Sequence, residues 1–185
     1  MAKSKWIMFL DSDDIWHSKK VEKQVNFHKQ NQHILFSHTN ELWKFNNKII
    51  KQKKHQQKPS GYCFDDNLQF CKIGASTVMI HNSIFEEIGE FDDELVACED
   101  YDLWLRILVK YELGLVENEL ITKIAGHKGQ LSFDTPLMDL YRIKALYKHK
   151  NNTNAFEEFK KKKEILINGA IKHNNHELIE TLNKL

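Results

Sequence analysis

The chain alternates between short apolar runs and segments in which apolar residues recur every three or four positions. Residues 6–10, WIMFL, are continuously apolar and end in Asp and Ser, which predicts a fully buried strand inside a parallel sheet. Residues 34–45 and 75–81 also predict extended structure, and residues 114–127 predict a hairpin or a pair of short strands. Strands separated by helices in this way are typical of an α/β protein.

Two helices are predicted between these strands. Residues 18–30 are mostly polar, and Val21 and Val25, joined by His28, would share one face of a helix. Residues 100–111 have the spacing of an amphipathic helix, whose apolar positions are Leu103, Trp104, Ile107, Leu108 and Tyr111.

Turn-forming residues indicate where further helices begin and end. Asn82 could cap a short helix that Gly89 would end in a left-handed conformation. Pro136 suits the first position of a helix that runs to residue 149. Two more helices, over residues 155–173 and 175–184, would complete a helical C-terminal tail.

Composition narrows the class of protein. The 185 residues are 41% hydrophobic and 29% charged, with a net charge of +1, so no strong field would attract nucleic acid. The three cysteines, Cys63, Cys71 and Cys98, form no CxxC pair, which favours a reduced, cytoplasmic setting. No apolar run is long enough to span a membrane, whereas peripheral association with its inner face stays open. The basic segment 48–62 is interpreted as a solvated loop.

Three carboxylates crowd together directly after the first apolar run, in the sequence DSDD. In an extended segment Asp11 and Asp13 would point to the same face, where a cation would remove their repulsion. Mg²⁺ and Mn²⁺ are often held by one or two carboxylates together with water and substrate phosphates. The alternative is that Asp13 or Asp14 caps a helix and Asp11 closes a turn. The position after a strand favours a ligand site, because ligands of open α/β sheets gather at the carboxyl ends of the strands.

A second acidic pair, Glu99 and Asp100, stands at the start of the helix that carries Trp104. The helix dipole stabilises negative charge there, which by itself would explain one of the two carboxylates. A carboxylate held in a partly apolar cleft would also have a pKa suited to proton abstraction. Asp100 is therefore a candidate general base.

Three blocks of sequence, in the same order, resemble the inverting family 2 glycosyltransferases of the GT-A fold. FLDSDDIWHSKKVEKQ is similar to the DxD region of that family, and STVMIHNSIFEEIGEFDDELVACEDYDLWLRI is similar to its second half. KIAGHKGQLS resembles the segment that follows. The resemblance implies an α/β fold in which residues 1–132 form part of a GT-A domain, a mixed sheet flanked by helices. Residues 133–185 would be a helical extension.

The resemblance also implies roles for individual residues. Asp11 and Asp13 become the DxD pair, which together with His127 would hold Mn²⁺ or Mg²⁺ and the donor diphosphate. Asp100 becomes the catalytic base, and Glu99 beside it lines the acceptor site. The implied reaction is an inverting, metal-dependent transfer of a sugar from a nucleotide-sugar donor to a hydroxyl of a glycan or a lipid-linked acceptor, as in the synthesis of cell-surface polysaccharides. We interpret Arg106 as an ion-pair partner within the helix face.

The sequence departs from that family at its start. GT-A enzymes begin with a half that binds the nucleotide, and here only five residues precede the first apolar run. We therefore expect the C-terminal part of a transferase, with an unpaired sheet edge at residues 6–10 and little activity unless a partner chain supplies the rest. Two alternatives stay open. One is a phosphatase that resembles the haloacid dehalogenases, whose nucleophile also follows an early strand, and the other is a non-catalytic fragment that folds with a partner.

Overall fold

The computed structural model describes residues 3–46, 48–126 and 137–185. The strands in these residues belong to one mixed sheet: β1 Trp6–Ile7, β2 Asp14–Trp16, β3 Phe36–Phe45, β4 Lys48–Ile50, β5 Met79–His81 and β6 Leu113–Ala125. The helices are α1 Lys20–Gln30, α2 Ser83–Ile88, α3 Glu99–Leu108, α4 Met138–Tyr147, α5 Thr153–Lys172 and α6 His176–Asn183. The predicted fold class, a mixed sheet flanked by helices with a helical tail, is confirmed.

Strands β3 and β6 form the centre of the sheet. They pair in parallel from Phe36 opposite Leu113 to Phe45 opposite Ala125, with a bulge near Asn40. Strands β5 and β4 pair antiparallel with the two ends of β3, and β2 pairs antiparallel with the last part of β6. The long parallel pair therefore supports all the shorter strands except β1, which attaches to β5.

The first apolar run is not a buried interior strand. Only Trp6 and Ile7 form a strand, which pairs antiparallel with β5 at the edge of the sheet, and Leu10 is 52% exposed. Phe9 packs edge-on against Phe91 instead of joining a ladder. A run of five apolar residues has no period, so the sequence cannot distinguish an interior strand from an edge strand followed by an anchored loop. Strand β1 does lie at the edge of the sheet, where an edge was expected.

Three other segments differ from the prediction. The segment predicted as a hairpin, residues 114–127, lies in its described part almost wholly in the single strand β6, Leu113–Ala125, in which the polar residues 117–119 belong to the bulge and not to a turn. Residues 48–50 form β4, so the basic segment begins as one arm of a hairpin. Residues 75–77 form a 3₁₀ turn, and the predicted strand begins only at Met79.

Helix α1 lies where it was predicted and buries His28 as expected, but the rest of its buried face is polar and not apolar. The Val21 side chain is 46% exposed, whereas three polar residues on the neighbouring face are buried, namely Lys20, Gln24 and His28. The Gln24 amide donates to the Ser37 hydroxyl at 3.2 Å, and the Lys20 ammonium donates to the Gln24 side-chain oxygen at 2.5 Å. Hydrophobic periodicity does not detect a polar stripe whose burial depends on such bonds.

The other helices begin and end close to the predicted positions. Gly89, with φ of +88°, ends α2 as predicted, but the Asn82 side chain makes no capping hydrogen bond because Asn82 is itself helical. The Asn152 and Asn175 side chains cap α5 and α6. Pro136 lies outside the described residues. Among the described helices, none combines the length and the apolar character needed to cross a bilayer.

Helix α3 lies between two hydrophobic cores. On the side of the sheet, Trp104 stacks on Phe36 with 5.3 Å between ring centroids. On the opposite side, Tyr101 and Leu105 pack into a core built by the C-terminal helices, with Ile143, Leu146, Phe159, Leu178 and Leu182. The N-terminus of α3, which carries Glu99 and Asp100, is therefore fixed from both sides.

Candidate active site

The three N-terminal carboxylates lie in a tight turn and not in an extended segment. The Asp14 amide donates to the Asp11 carbonyl at 3.1 Å, and Asp14 then begins β2. The alternation argument that placed Asp11 and Asp13 on one face is therefore wrong. Both carboxylates nevertheless lie within electrostatic range of Asp14. Burial is the main reason that the pKa of Asp14 is raised, and the charges of Asp11 and Asp13 add to it.

Ser76, in the turn before β5, anchors the acidic turn. Its hydroxyl oxygen accepts a hydrogen bond from the Asp11 amide at 2.9 Å, and a side-chain hydrogen bond joins it to the Asp14 carboxyl group. The Ser76 carbonyl accepts a hydrogen bond from the Trp16 indole at 3.0 Å. One residue thus fixes the turn on both sides of Asp13, a role for which the sequence GAST gives no signal.

Asp100 lies in the first turn of α3. One carboxylate oxygen accepts a hydrogen bond from the Tyr101 amide at 2.6 Å, and the other lies 3.8 Å from the Cys71 sulfur. Burial raises the pKa of Asp100 to about 6, and the charge of Glu99 adds to this effect. Such a group is ionised at neutral pH and still basic enough to accept a proton. Cys98, just before, has φ of +61°, a strained conformation of the kind that clusters at functional sites.

Lys123 of β6 connects the two acidic groups. It lies directly opposite Asp14 in the sheet register, and its positive charge lowers the pKa of both Asp14 and Asp100. Burial would lower the pKa of Lys123, but the carboxylates of Glu41, Asp14, Asp11 and Asp100 together raise it. The structure therefore brings Asp11, Asp14 and Asp100 around one ammonium group. The sequence ITKIA contains the only hint, a lysine between apolar positions of a strand.

The acidic turn suits a hard divalent cation that it would share with a substrate. Asp11 and Asp13 are half-exposed, and among the described residues the buried Oδ1 atom of Asp14 has no hydrogen-bond partner. Within the described part of the chain, no cluster of three or more His, Cys, Asp or Glu side chains could hold a metal alone. Oxygens of a substrate diphosphate would have to complete the coordination. His127, the third predicted ligand, lies outside the described residues.

A cavity of about 210 Å³ opens beside these groups. It is lined by Glu41, Trp43, Gln56, Lys58, Phe70, Cys71 and Lys72. The Lys58 ammonium lies 2.8 Å from the Glu41 carboxylate in a buried ion pair. Burial acts to raise the pKa of Glu41, but this ion pair keeps that pKa below its usual value. Because Cys71 lines the cavity and also contacts Asp100, a molecule in the cavity would lie close to Asp100.

Arg106 is an ion-pair partner, as predicted. Its Nε atom donates to the Asp102 carboxylate one helical turn earlier at 2.9 Å. Its other guanidinium nitrogens donate to the carbonyls of Ile88 and Glu90 at 2.9 and 2.7 Å. Arg106 thus ties α3 to the end of α2 and holds the loop that leads to Glu99.

Comparison with known proteins gives consistent matches in sequence. Residues 1–88 match the family described as "Glycosyl transferase family 2". An uncharacterized glycosyltransferase of Rickettsia conorii is 35% identical over 136 residues, which are 73% of this chain and 22% of that relative. The UDP-Glc:alpha-D-GlcNAc-diphosphoundecaprenol beta-1,3-glucosyltransferase WfgD of Escherichia coli is 36% identical over 107 residues, 58% of this chain and 40% of that enzyme. An uncharacterized glycosyltransferase of Methanocaldococcus jannaschii is 28% identical over 82% of this chain and 54% of the relative.

Solved structures match the fold. The crystal structure of S. aureus TarS 1-349 in complex with UDP-GlcNAc has a TM-score of 0.61 at 12% identity, and covers 82% of this chain and 44% of TarS 1-349. The crystal structure of S. aureus TarS has a TM-score of 0.55 at 13% identity over 95% of this chain, so the likeness extends into the C-terminal helices. The chain spans 22% to 54% of the length of the relatives described above.

Proposed function

The chain belongs to glycosyl transferase family 2, and on this basis we propose that it carries the acceptor side and part of the donor side of an inverting glycosyltransferase site. The substrates would be a nucleotide-sugar donor and a hydroxyl of a glycan or lipid-linked acceptor. The observation that carries the proposal is the convergence of Asp100 and the acidic turn around Lys123. This arrangement pairs a base of suitable pKa with a region that can receive a diphosphate.

In the proposed reaction, Asp100 is the general base. Its carboxylate accepts the proton of the acceptor hydroxyl while the acceptor oxygen forms a bond to the anomeric carbon of the donor sugar. The bond from that carbon to the diphosphate breaks on the opposite side, and the nucleoside diphosphate leaves with the electron pair. The configuration at the anomeric carbon inverts. Glu99 supports the step by raising the pKa of Asp100, in addition to the larger effect of burial.

The leaving diphosphate would lie against the acidic turn. Asp11 and Asp13 would hold Mg²⁺ or Mn²⁺, which would supply positive charge to the leaving group. Lys123 supplies a permanent positive charge next to the same carboxylates, which limits their mutual repulsion. The Oδ1 atom of Asp14, which lacks a hydrogen-bond partner in the described part of the chain, and the half-exposed positions of Asp11 and Asp13 support this placement.

For the acceptor we propose the cavity beside Cys71. Trp43 and Phe70 offer apolar surfaces on which a sugar ring could pack, and Lys72 offers positive charge for a phosphate. WfgD, by its name, acts on a GlcNAc-diphosphoundecaprenol acceptor, which combines these features in one molecule. We extend this acceptor class, a sugar on a lipid diphosphate, to the present chain.

The test of function uses the chain both alone and within a longer enzyme. In a chimera, this chain replaces the matching segment of WfgD, and release of UDP from UDP-sugars is followed with a GlcNAc-diphospho-lipid acceptor. Asp100→Asn should reduce turnover by about 10² or more, the usual contribution of a general base. Asp93→Asn, an exposed carboxylate of the preceding loop, is the control and should keep full activity. Activity that survives Asp100→Asn would remove the proposed base, and phosphate release from simple esters would favour a phosphatase.

Binding of the donor diphosphate can be tested without turnover. UDP together with Mn²⁺ should raise the melting temperature of the chain by mass action, and Asp13→Ala should abolish that rise. An equal rise in the variant would exclude Asp13 as a ligand. Either ligand alone should have a smaller effect, because the diphosphate completes the coordination.

A further inference from the structure

One corner of the sheet exposes an unusual number of apolar side chains. This corner consists of the β3–β4 hairpin together with the neighbouring ends of β2 and β6. Its exposed residues are Ile15 at 55%, Phe45 at 42%, Ile49 at 66%, Ile50 at 40% and Ile124 at 38%. Single exposed apolar residues are ordinary, but five on adjoining strands mark a contact surface.

The sheet register shows that most of these side chains share one face. Ile124 of β6, Lys44 of β3 and Ile49 of β4 lie in one cross-strand row, and directly paired residues point to the same side of a sheet. Ile15 of β2 lies opposite Thr122 of β6. Thr122 is two residues from Ile124, so its side chain points to the same side of the sheet. Ile15, Ile49 and Ile124 therefore form a patch on the face opposite to Asp14 and Lys123.

Lysines surround this patch. Residues 44–58 contain six lysines and no Asp or Glu, although the whole chain has a net charge of only +1. Lys58 pairs with the buried Glu41, whereas Lys48, Lys51, Lys53 and Lys54 are exposed. In the described residues, Glu41, Glu117 and Glu119 line a groove beside the hairpin with Ile50 and Lys51, and of these Glu41 is the one that pairs with Lys58. The hairpin therefore carries a local excess of positive charge next to apolar residues.

We propose that this corner binds the surface of an anionic phospholipid bilayer. The isoleucine side chains of the corner would enter the boundary of the acyl chains, while the exposed lysines would contact lipid phosphates. Charge complementarity favours a bilayer over a protein partner, because four flexible lysines without an aromatic anchor or a fixed ion pair suit a fluid layer of anions better than one shaped surface.

The location of the corner deepens the proposed function and rests on it. Asp14, Lys123, Trp43 and Ile50 lie in one row across β2, β6, β3 and β4. With about 4.8 Å between neighbouring strands, Ile50 lies roughly 14 Å from the acidic turn. At the β4 edge of the sheet, Ile49 lies on the face of the patch and Ile50 on the face of Trp43. A bilayer against this edge would present the headgroup of a lipid-linked acceptor to the cavity lined by Trp43 and Lys58 from the side of the hairpin. Membrane binding would thus position the acceptor as well as the protein.

Flotation of the complete chain with vesicles tests this proposal. Binding should be strong with vesicles of phosphatidylcholine and phosphatidylglycerol, weak with phosphatidylcholine alone, and reduced by salt. The quadruple variant Lys48→Gln, Lys51→Gln, Lys53→Gln, Lys54→Gln should lose at least tenfold in binding, since each lysine near an anionic surface contributes about fivefold. The matched control replaces four exposed lysines elsewhere, Lys29, Lys150, Lys172 and Lys184, by Gln and should bind as the native chain does.

The apolar part is tested by Ile49→Ser against Ile165→Ser, which is 59% exposed on α5. Only Ile49→Ser should weaken flotation. Equal losses of binding in the hairpin and control variants, or no binding to anionic vesicles, would overturn the proposal. Self-association in solution that Ile49→Ser abolishes, in a chain that binds no lipid, would also overturn it. The melting-temperature response to UDP and Mn²⁺ is measured on the same variants. Because it should be unchanged in all of them, failure of membrane binding and failure of the proposed transferase site remain distinguishable.

Discussion

The carboxyl group of Asp100 holds its proton more tightly in the folded chain than in the unfolded one, because burial raises its pKa to about 6. Above that pH the group is ionised in both states, and its burial lowers the free energy of unfolding. Below the unfolded pKa it is protonated in both states and this penalty is absent. As far as Asp100 is concerned, stability therefore rises as the pH falls from 6 towards 4.

Replacing Asp100 by Asn should accordingly stabilise the chain while it removes the proposed base. At pH 7.5 we expect the free energy of unfolding to increase by about 2 kcal/mol, and at pH 4 we expect no increase. Urea unfolding at the two pH values gives the comparison, with Asp93→Asn as the exposed control. A variant as stable as the native chain at both pH values would contradict the view that burial sets the pKa of Asp100.

At the scale of single elements, α1 buries an ammonium group, that of Lys20, which has no carboxylate partner in residues 3–46, 48–126 and 137–185. Burial lowers the pKa of Lys20 to about 7. The unfolded chain therefore binds more protons than the folded chain between pH 7 and about 10, so stability due to this group rises with pH over that window. Stacking over the Trp16 ring at 4.6 Å and the bond to Gln24 offset only part of the penalty below pH 7.

Lys20→Met should remove this pH dependence. The gain in the free energy of unfolding over the native chain should be largest at pH 6 and should shrink by about 3 kcal/mol as the pH is raised to 10. The measurement is the difference in the free energy of unfolding across that range, with Lys23→Met on the same helix as a control. A difference that does not change with pH would mean that Lys20 stays charged in the folded chain.

The elements also show what the sequence could and could not predict. Helix α3 was predicted closely because its apolar residues recur at helical spacing, and α5 and α6 also lie close to their predicted positions. Strand β6 was not predicted as a single strand, because the polar residues of its bulge resemble a turn in the sequence. In the candidate site, Asp11, Asp13 and Asp100 stand out as clustered charges in sequence. Ser76 and Lys123 do not, because only the packing of the turn before β5 and the register of β6 on β2 bring them to the carboxylates. The burial of Lys20 and Gln24 on α1 was not predicted either, because it depends on contacts that only the packing of the helix creates.

At the scale of the whole molecule, α3 belongs equally to the sheet core and to the core of the C-terminal helices. Lys148 at the end of α4 reinforces this connection, since its ammonium lies 2.7 Å from the buried Asp102 and 2.5 Å from Asp92. Through Asp102 and Arg106 the C-terminal helices are connected to the loop before Glu99 and Asp100. Loosening these helices should therefore disturb the site as well as the tail.

Two optical signals separate the parts of the molecule. All four tryptophans, Trp6, Trp16, Trp43 and Trp104, precede the C-terminal helices, whereas α5 alone contributes 20 helical residues to the circular dichroism at 222 nm. If α3 joins the two cores into one cooperative unit, the urea transitions followed by tryptophan fluorescence and by circular dichroism should coincide.

Lys148→Met leaves the buried carboxylate of Asp102 with Arg106 as its cationic partner. The variant should therefore lower the urea midpoints of both signals together, by the equivalent of about 2 kcal/mol. Lys150→Met, two residues away and exposed, should leave both midpoints unchanged. Transitions that separate in the native chain, or a loss in the helical signal alone for Lys148→Met, would show that the C-terminal helices unfold independently of the sheet and do not stabilise the position of Asp100.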